Sequence, residues 1–185
     1  MLDADIREPL FEYLDMKYGK VRIIEEKNIG KSRADVIAVT DGQFIGMEIK
    51  SDGDSYTRLE SQVKNYNKYC DVNYVVVGAS HRIHVKEHIP EFWGILVVSR
   101  DDDTKLPIVE EHRPAQANPK CKLKWQLSLL WRNELANILR ANNLPKYSEK
   151  NKKFICDTLL EKVGEQKLKL QVTDEIFERD YTKYL

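Results

Sequence analysis

Residues 33–50 read RADVIAVTDGQFIGMEIK, and this segment is the most informative part of the chain. Two apolar runs surround the dipeptide at 41–42, Asp-Gly, which is typical of a tight hairpin turn. The first run opens with Asp35, and the second ends with Glu48 and Lys50, which share one face of a strand because side chains alternate between its faces. Ionised carboxylates at the edge of a core are costly unless something pairs with them. A divalent metal ion is the partner that this pattern predicts for the two acids.

The composition is that of a globular protein with one core. Of the 185 residues, 42% are hydrophobic and 32% are charged, which predicts one domain with a helical appendage. The longest apolar runs, such as Tyr74–Val77 and Gly94–Val98, are too short to span a bilayer, and the N-terminus lacks the pattern of a signal peptide. We therefore expect a cytoplasmic protein without membrane contact. Cys70, Cys121 and Cys156 are widely spaced and odd in number, which favours reduced thiols over a disulfide framework or zinc site.

Charge is distributed unevenly along a chain whose formal net charge is zero. Residues 1–118 contain 16 Lys and Arg against 21 Asp and Glu, a net charge of −5, and residues 119–185 contain 14 against 9, a net charge of +5. Within residues 119–170 the count is 12 against 5, a net charge of +7. This segment should attract a polyanion, and the acidic front part suits cation binding.

Hydrophobic periodicity predicts the order α, β, β, β, α, β, short α, β over the first hundred residues. The predicted segments are a helix at 5–17 with Pro9 in its first turn and Gly19 as its stop, a strand at 21–25, a loop at 30–33, the hairpin, a helix at 56–70, strands at 74–77 and 94–98, and a short helix near 85–88. We therefore place a core at residues 1–100.

After Ser99 the chain changes character. A charged passage through Lys122 predicts an exposed loop with a short strand at 108–109. Apolar stripes then predict helices, and these stripes lie within 127–139 and 154–163, with a last helix at 173–184. Residues 101–185 are therefore predicted to be a loop and helical extension packed on the core.

The pattern resembles the PD-(D/E)xK phosphodiesterase superfamily, and in particular a branch of small bacterial and prophage-encoded nuclease-like proteins. The segments that carry the resemblance are Glu8 on the first helix, Arg33-Ala34-Asp35, Glu48-Ile49-Lys50-Ser51, Gln62 and the strand Tyr74–Val77. It covers about residues 1–100, and the first motif lacks the proline of the superfamily's name. The resemblance implies an α/β fold with a restriction-endonuclease-like mixed β-sheet flanked by helices, here with a helical C-terminal extension.

The resemblance further implies a metal-dependent nuclease that hydrolyses phosphodiester bonds, with DNA as the expected partner. Asp35, Glu48 and the main-chain carbonyl of Ile49 would offer hard oxygen ligands suited to Mg²⁺ or Mn²⁺. Glu8 would hold a second ion or accept a hydrogen bond beside the first. A different explanation of Glu8 is a capping box with Asp5 at the start of the helix.

The remaining site residues surround this metal centre. Lys50 would hold the attacking water or a phosphate oxygen. Gln62 and Tyr66 are spaced i, i+4 on one helix face and resemble a Gln-x-x-x-Tyr element found beside the metal in some nuclease branches; the alternative is a solvated Gln62 and a core Tyr66. Arg33 and Arg58 flank the site and are candidates to hold phosphates.

Two other polar groups and a second function class remain open. His84 and His88 are explained most simply by a surface helix, and Asp52 and Asp54 by a turn that caps the next helix. The same fold can also persist as a non-catalytic nucleic-acid-binding or protein-interaction module, for example a phage accessory protein. The strand form of the DNA and the oligomeric state, with a homodimer as one alternative, also stay open.

Overall fold

A computed structural model describes residues 1–180, and these residues form six helices and six strands. In chain order the elements are α1 Asp3–Tyr18, β1 Arg22–Ile29, β2 Ser32–Thr40, β3 Gln43–Lys50, α2 Leu59–Tyr69, β4 Val72–Gly78, β5 Gly94–Arg100, β6 Pro107–Arg113, α3 Leu123–Ser128, α4 Arg132–Ala141, α5 Lys152–Lys162 and α6 Glu165–Phe177. Two 3-10 turns, Ala79–His81 and Val85–Glu87, lie between β4 and β5. No helix within the described range has the length and apolar character needed to cross a bilayer.

The six strands form one mixed sheet in which each strand lies beside its predecessor in sequence. β1, β2 and β3 are antiparallel, β3, β4 and β5 are parallel, and β6 returns antiparallel to β5. The parallel step from β3 to β4 requires a crossover, which α2 provides. The predicted α/β class, with a mixed sheet flanked by helices and further helices at the C-terminal end, is confirmed.

Helices cover both faces of the sheet, which explains why its central strands are apolar almost throughout. On one face, α1 packs Ile6, Leu10 and Leu14 against alternate residues of the strands. On the other face, α2 and the C-terminal helices share one continuous apolar cluster with the remaining alternate residues. The predicted boundary near residue 100 stays a prediction, and the sheet itself continues beyond it through β6.

The first helix begins earlier than the sequence predicts. α1 starts at Asp3, so Pro9 is its seventh residue rather than part of its first turn. Asp5 accepts a hydrogen bond from the backbone N–H of Leu2 at 2.9 Å. The capping box predicted between Asp5 and Glu8 is therefore wrong, because Asp5 occupies the third helical position and not the cap.

The C-terminal part also differs in detail from the prediction. β6 is a strand of seven residues rather than a two-residue strand in a loop. Most of its residues are exposed, so the sequence has no alternation of apolar and polar residues that would predict the strand. The apolar stripe at 127–139 is divided between α3 and α4, because Glu134 caps the backbone N–H of Trp131 at 2.6 Å and starts a new helix there. The last helix spans Glu165–Phe177 rather than 173–184, and the expected residues 181–184 lie outside the described part.

Gly46 of β3 allows α2 to lie close against the sheet. A Cβ atom at this position would lie 2.5 Å from a ring carbon of Tyr66 and 2.8 Å from the sulfur of Cys70. We expect Gly46→Ala to lower the free energy of unfolding by about 1–3 kcal/mol, the usual cost of overpacking a core. Urea unfolding followed by circular dichroism measures this change.

Gly53→Ala is the matched control for this prediction. Gly53 lies in the loop after β3, and a Cβ atom there meets nothing within 4 Å. The control should therefore change stability by less than about 0.5 kcal/mol. An equal loss in the two variants would show that close packing of α2 is not what Gly46 provides.

Candidate functional site

The hairpin brings Asp35 and Glu48 to the same end of two neighbouring strands. The antiparallel pairing of β2 with β3 runs up to Val36 opposite Met47, so the next residues in the same register are Asp35 and Glu48. At this point a side chain replaces a backbone carbonyl as the hydrogen-bond acceptor between the strands: Oδ2 of Asp35 accepts the N–H of Ile49 at 2.8 Å. The carboxylate of Asp35 thus lies where the two strands separate.

Glu48 and Lys50 form a buried ion pair beside this carboxylate. Glu48 is 0% exposed and Lys50 is 5% exposed, and Lys50 Nζ donates to Glu48 Oε1 at 2.7 Å. Lys50 Nζ also donates to Gln62 Oε1 at 3.2 Å. The second oxygen of Glu48, Oε2, is buried and has no hydrogen-bond partner within residues 1–180. A buried anionic oxygen without a donor is costly, and it marks a place where a cation would be stabilising.

The electrostatics of the two acids favour cation binding. Burial raises the pKa of Glu48 to about 7, the negative charge of Asp35 acts in the same direction, and Lys50 opposes them. Burial also raises the pKa of Asp35, against the hydrogen bond from Ile49 and the charge of Lys50. Both carboxyl groups therefore hold a proton more tightly than they would in water, and a divalent ion would replace that proton.

Tyr66 fixes the separation of the two strands. Its hydroxyl donates to the carbonyl of Met47 at 2.8 Å and accepts the N–H of Asp35 at 3.0 Å. The side chain is fully buried, and burial raises the pKa of this phenol well above its usual value. Tyr66 therefore positions the strand ends, and a direct contact of Tyr66 with substrate stays a prediction. Gln62, on the same face of α2, contacts Lys50.

Glu8 does not join Asp35 and Glu48. It is exposed on α1 and borders a depression with Arg100 and Pro107. Within the described residues no three His, Cys, Asp or Glu side chains are grouped so that they could hold one metal ion. Glu8 lies next to Arg100 of β5 and Pro107 of β6, and its role as a ligand of a second ion stays a prediction.

Arg7, the residue before Glu8, faces the site instead. Its guanidinium donates to the main-chain carbonyl of Asp35 at 3.4 Å and pairs with Glu25 at 2.9 Å and Glu26 at 2.7 Å. Glu26 in turn pairs with Arg33 at 2.6 Å. Arg33 is exposed, but its charge is already partly balanced by Glu26. The contacts of Arg7 could not be predicted from the sequence, because they depend on how β1 pairs with β2.

The other candidate polar residues lie around the end of β3. Arg58 is exposed just before α2. Asp54 accepts hydrogen bonds from the N–H and the hydroxyl of Ser51 at 2.8 and 2.6 Å, which is the turn that the sequence indicates. A feature that the sequence did not indicate is the contact of 2.6 Å between the Tyr56 hydroxyl and His81 Nδ1, which joins the loop after β3 to the turn after β4.

Comparison with protein families places the chain in one of them. The family model described as bacteriophage P4 protein cII matches residues 2–184. The chain therefore belongs to the bacteriophage P4 cII protein family. No curated protein matches the sequence.

Two solved structures show distant likeness. SfsA of Pyrococcus furiosus in complex with Ca²⁺ matches with a TM-score of 0.39 and 14% identity, over 66% of this chain and 66% of that one, which is just under two thirds of its length. An fdxN element excision controlling factor protein of Anabaena variabilis matches with a TM-score of 0.36 and 17% identity, over 58% of this chain and 97% of that one. At TM-scores this low, neither likeness bears on the fold or the function of this chain.

Proposed function

We propose that this protein is a metal-dependent nuclease of the PD-(D/E)xK superfamily that hydrolyses phosphodiester bonds in DNA, with Mg²⁺ or Mn²⁺ as its cofactor. The observation that carries the proposal is the arrangement of Asp35, Glu48 and Lys50, three charged side chains gathered at the end of one hairpin. Two neighbouring carboxyl groups do not stabilise a protein core, because the negative charge of each makes ionisation of the other less favourable. A site that binds a cation needs them.

The donor set fits a hard divalent ion. Asp35, Glu48 and the carbonyl of Ile49 would hold it, and two carboxylates with water are a common set for Mg²⁺. The N–H and C=O of one strand residue point to the same side, so the Ile49 carbonyl lies on the side where its N–H meets Asp35. A bound ion of this kind supplies hydroxide near neutral pH and neutralises charge that develops on a phosphate.

Lys50 has the right surroundings to act on the phosphate or the water. Its ammonium group has three donors, of which one meets Glu48 and one meets Gln62. These two contacts would direct the third N–H towards a phosphate oxygen or the attacking water. A preorganised cation in a place with little water stabilises developing negative charge more strongly than the same cation in solution.

The experiment that tests the function is incubation of the pure protein with linear, nicked, branched and single-stranded DNA in the presence of Mg²⁺ or Mn²⁺. We expect cleavage of at least one of these DNAs, and none after addition of EDTA. Binding of Mn²⁺ to the protein is measured in parallel by electron paramagnetic resonance. The absence of both cleavage and Mn²⁺ binding would overturn the proposal.

Metal binding should also release protons in a way that depends on pH. Since the pKa of Glu48 is raised to about 7, the carboxyl is largely protonated at about pH 6, and an ion must displace that proton. We expect Mn²⁺ to release protons at about pH 6 and to release almost none at about pH 9, where Glu48 is already ionised. Titration in weakly buffered solution measures the release.

Glu48→Gln is the control for the proton release, because glutamine has no proton to lose. The variant should release clearly fewer protons than the wild type at about pH 6. Equal proton release by the two proteins, or release that does not change with pH, would contradict the assignment of Glu48 to the ion.

A second candidate function is supported by the ion pair itself. Glu48 and Lys50 already neutralise each other at 2.7 Å, and a buried pair of this kind can persist in a protein that has no catalytic role. The protein would then be a module that binds nucleic acid or another protein on the same fold. DNA binding without cleavage and without Mn²⁺ binding would favour this function.

A further inference from the structure

Lysines alternate with other residues in the segment that leads into α3. Residues 119–125 read PKCKLKW, and Lys120, Lys122 and Lys124 are all exposed, whereas Leu123 between them is buried. The backbone at Lys122 is extended. The three lysine side chains therefore lie on the solvent side, and Leu123 anchors the start of α3 in the core.

Contacts with the end of α2 hold this segment in place. The side chain of Asn118 donates to the carbonyls of Asn67 at 2.9 Å and Cys70 at 2.7 Å. The N–H of Lys122 donates to the carbonyl of Lys68 at 3.3 Å, and Lys68 is itself exposed. Two stretches that are about fifty residues apart thus bring their lysines to one surface.

This surface carries a concentrated positive charge. Among the described residues, Lys68, Lys120, Lys122 and Lys124 take part in no ion pair within 4.0 Å. Asp71, an acid beneath the segment, is already paired with Lys169 at 2.5 Å. Four neighbouring cations without acidic partners repel one another, and a polyanion would remove that repulsion.

An indole ring lies among these cations. Trp125 is half-buried, and Lys68 Nζ and Lys124 Nζ lie 5.9 and 5.2 Å from the centroid of its ring. The ring of Tyr69 packs beside it at 5.8 Å. These contacts already restrict the conformations of the long lysine side chains. Less side-chain entropy is therefore lost when a ligand binds.

We propose that Lys68, Lys120, Lys122, Lys124 and Trp125, named here the lysine patch, bind the phosphate backbone of the DNA. This inference rests on the proposed function and assigns the surface that holds the substrate outside the metal centre. Along α2, Lys68 is six residues from Gln62, which is about 9 Å at the rise of a helix. Because Gln62 contacts Lys50, one helix leads from the proposed reaction centre to the lysine patch, and Lys64 is exposed between them.

The chemistry of the patch fits nucleic acid better than an acidic peptide. The charged side chains of the patch are lysines, whose ammonium groups act as point charges and need no fixed acceptor geometry. Such charges suit the phosphates of a nucleic acid, which follow one another at regular spacing. Two lysines of the α5 region have contacts within the helical extension: Lys152 donates to the carbonyl of Ser128 at 2.7 Å, and Lys150 lies over the ring of Phe154. Those side chains stabilise the helical extension.

The test is the affinity of the full chain for a fluorescein-labelled DNA duplex and for the corresponding single strand. Fluorescence anisotropy is measured in EDTA, where no cleavage occurs, at salt concentrations between about 50 and 200 mM. The variant replaces Lys68, Lys122 and Lys124 by glutamine. We expect its binding to be weaker by about tenfold or more, and the slope of log affinity against log salt to fall by about 2–3, since each phosphate contact contributes about 0.9.

The matched control replaces three other exposed lysines, Lys86, Lys146 and Lys153, by glutamine and so removes the same charge. We expect the control to bind DNA less than about threefold more weakly than the wild type. An equal loss in both variants would overturn the proposal in favour of general attraction. Wild-type affinity and salt slope in the patch variant would also overturn it, and would point to a protein partner for this surface if an acidic polypeptide binds the wild type alone.

Two further measurements separate this inference from the proposed function. Mn²⁺ binding should be the same in the patch variant and the wild type, because the patch does not contact Asp35 or Glu48. Glu165 borders the depression next to Lys122 and Lys124, and Glu165→Gln should therefore tighten DNA binding by about twofold or more. If Mn²⁺ binds but the patch substitutions leave DNA affinity unchanged, the patch is wrong and the metal centre stands. If the patch substitutions weaken DNA binding but the wild type binds no Mn²⁺, the lysine patch stands and the metal centre is wrong.

Discussion

Asp35→Asn should abolish both the binding of Mn²⁺ and the cleavage of DNA while leaving the protein folded. Asparagine keeps an oxygen that can accept the N–H of Ile49, the bond that Asp35 makes at 2.8 Å, so the separation of the strands is preserved. It removes the negative charge that the proposed ion requires. A loss of several kcal/mol of charge stabilisation corresponds to a rate lower by about 10³-fold.

Asp54→Asn is the control for this prediction. Asp54 lies in the turn after β3, near the site, and its bonds to Ser51 serve the loop. We expect Asp54→Asn to change Mn²⁺ affinity and cleavage by less than about threefold. Calorimetric titration with Mn²⁺ and a timed cleavage assay measure the two quantities in each variant. Wild-type metal affinity in Asp35→Asn would refute the assignment of Asp35 to the ion.

The convergence of Asp35 and Glu48 follows from the sequence, because a two-residue turn fixes the register of a hairpin. With Asp41 and Gly42 as the turn, Thr40 lies opposite Gln43. Counting outward by one residue on each strand reaches Asp35 opposite Glu48. Only local information is needed, so the sequence predicts this part of the site well.

The rotation of α1 is different, because it depends on which residues the sheet buries. The structure buries Ile6, Leu10 and Leu14 fully, and Phe11 and Tyr18 are only partly buried beside them. With this rotation Arg7 contacts the carbonyl of Asp35, while Glu8 lies next to Arg100 and Pro107. Pattern alone could not decide between the two, since α1 has apolar residues over a wide arc.

Contacts between distant segments are the other part that the sequence could not supply. The lysine patch requires that Lys68 and Lys122 be neighbours, and the site requires that Gln62 and Tyr66 approach β3. The approach of α2 to β3 depends on Gly46, which has no side chain to obstruct it, and the contact of Lys122 with Lys68 depends on the hydrogen bonds that join the two segments. Local periodicity predicts that α2 exists, but the distance between a helix and a sheet is decided by packing.

Lys50→Ala should abolish cleavage without loss of Mn²⁺ affinity at a pH where Glu48 is ionised. The ammonium group is assigned to the water or phosphate and not to the ion, so its loss removes a contact that matters in the transition state. The variant will also be less stable. Glu48 would lose its donor at 2.7 Å, and breaking a buried ion pair costs about 3–5 kcal/mol. Mn²⁺ should restore part of this stability, since the ion replaces the missing positive charge.

Loss of stability alone could imitate loss of catalysis, and the chain offers a control for this. Glu134 and Arg179 form another buried ion pair at 2.6 Å, between α4 and the end of α6. Glu134→Ala should lower stability by a similar amount yet retain the cleavage rate per folded molecule, because it lies on the helical extension. Rates are compared at a temperature where both variants are folded by circular dichroism. If Lys50→Ala cleaves at the rate of Glu134→Ala, the buried lysine serves the fold and the chemistry must be assigned to other groups; if only Lys50→Ala is inactive, its ammonium group acts on the reacting phosphate.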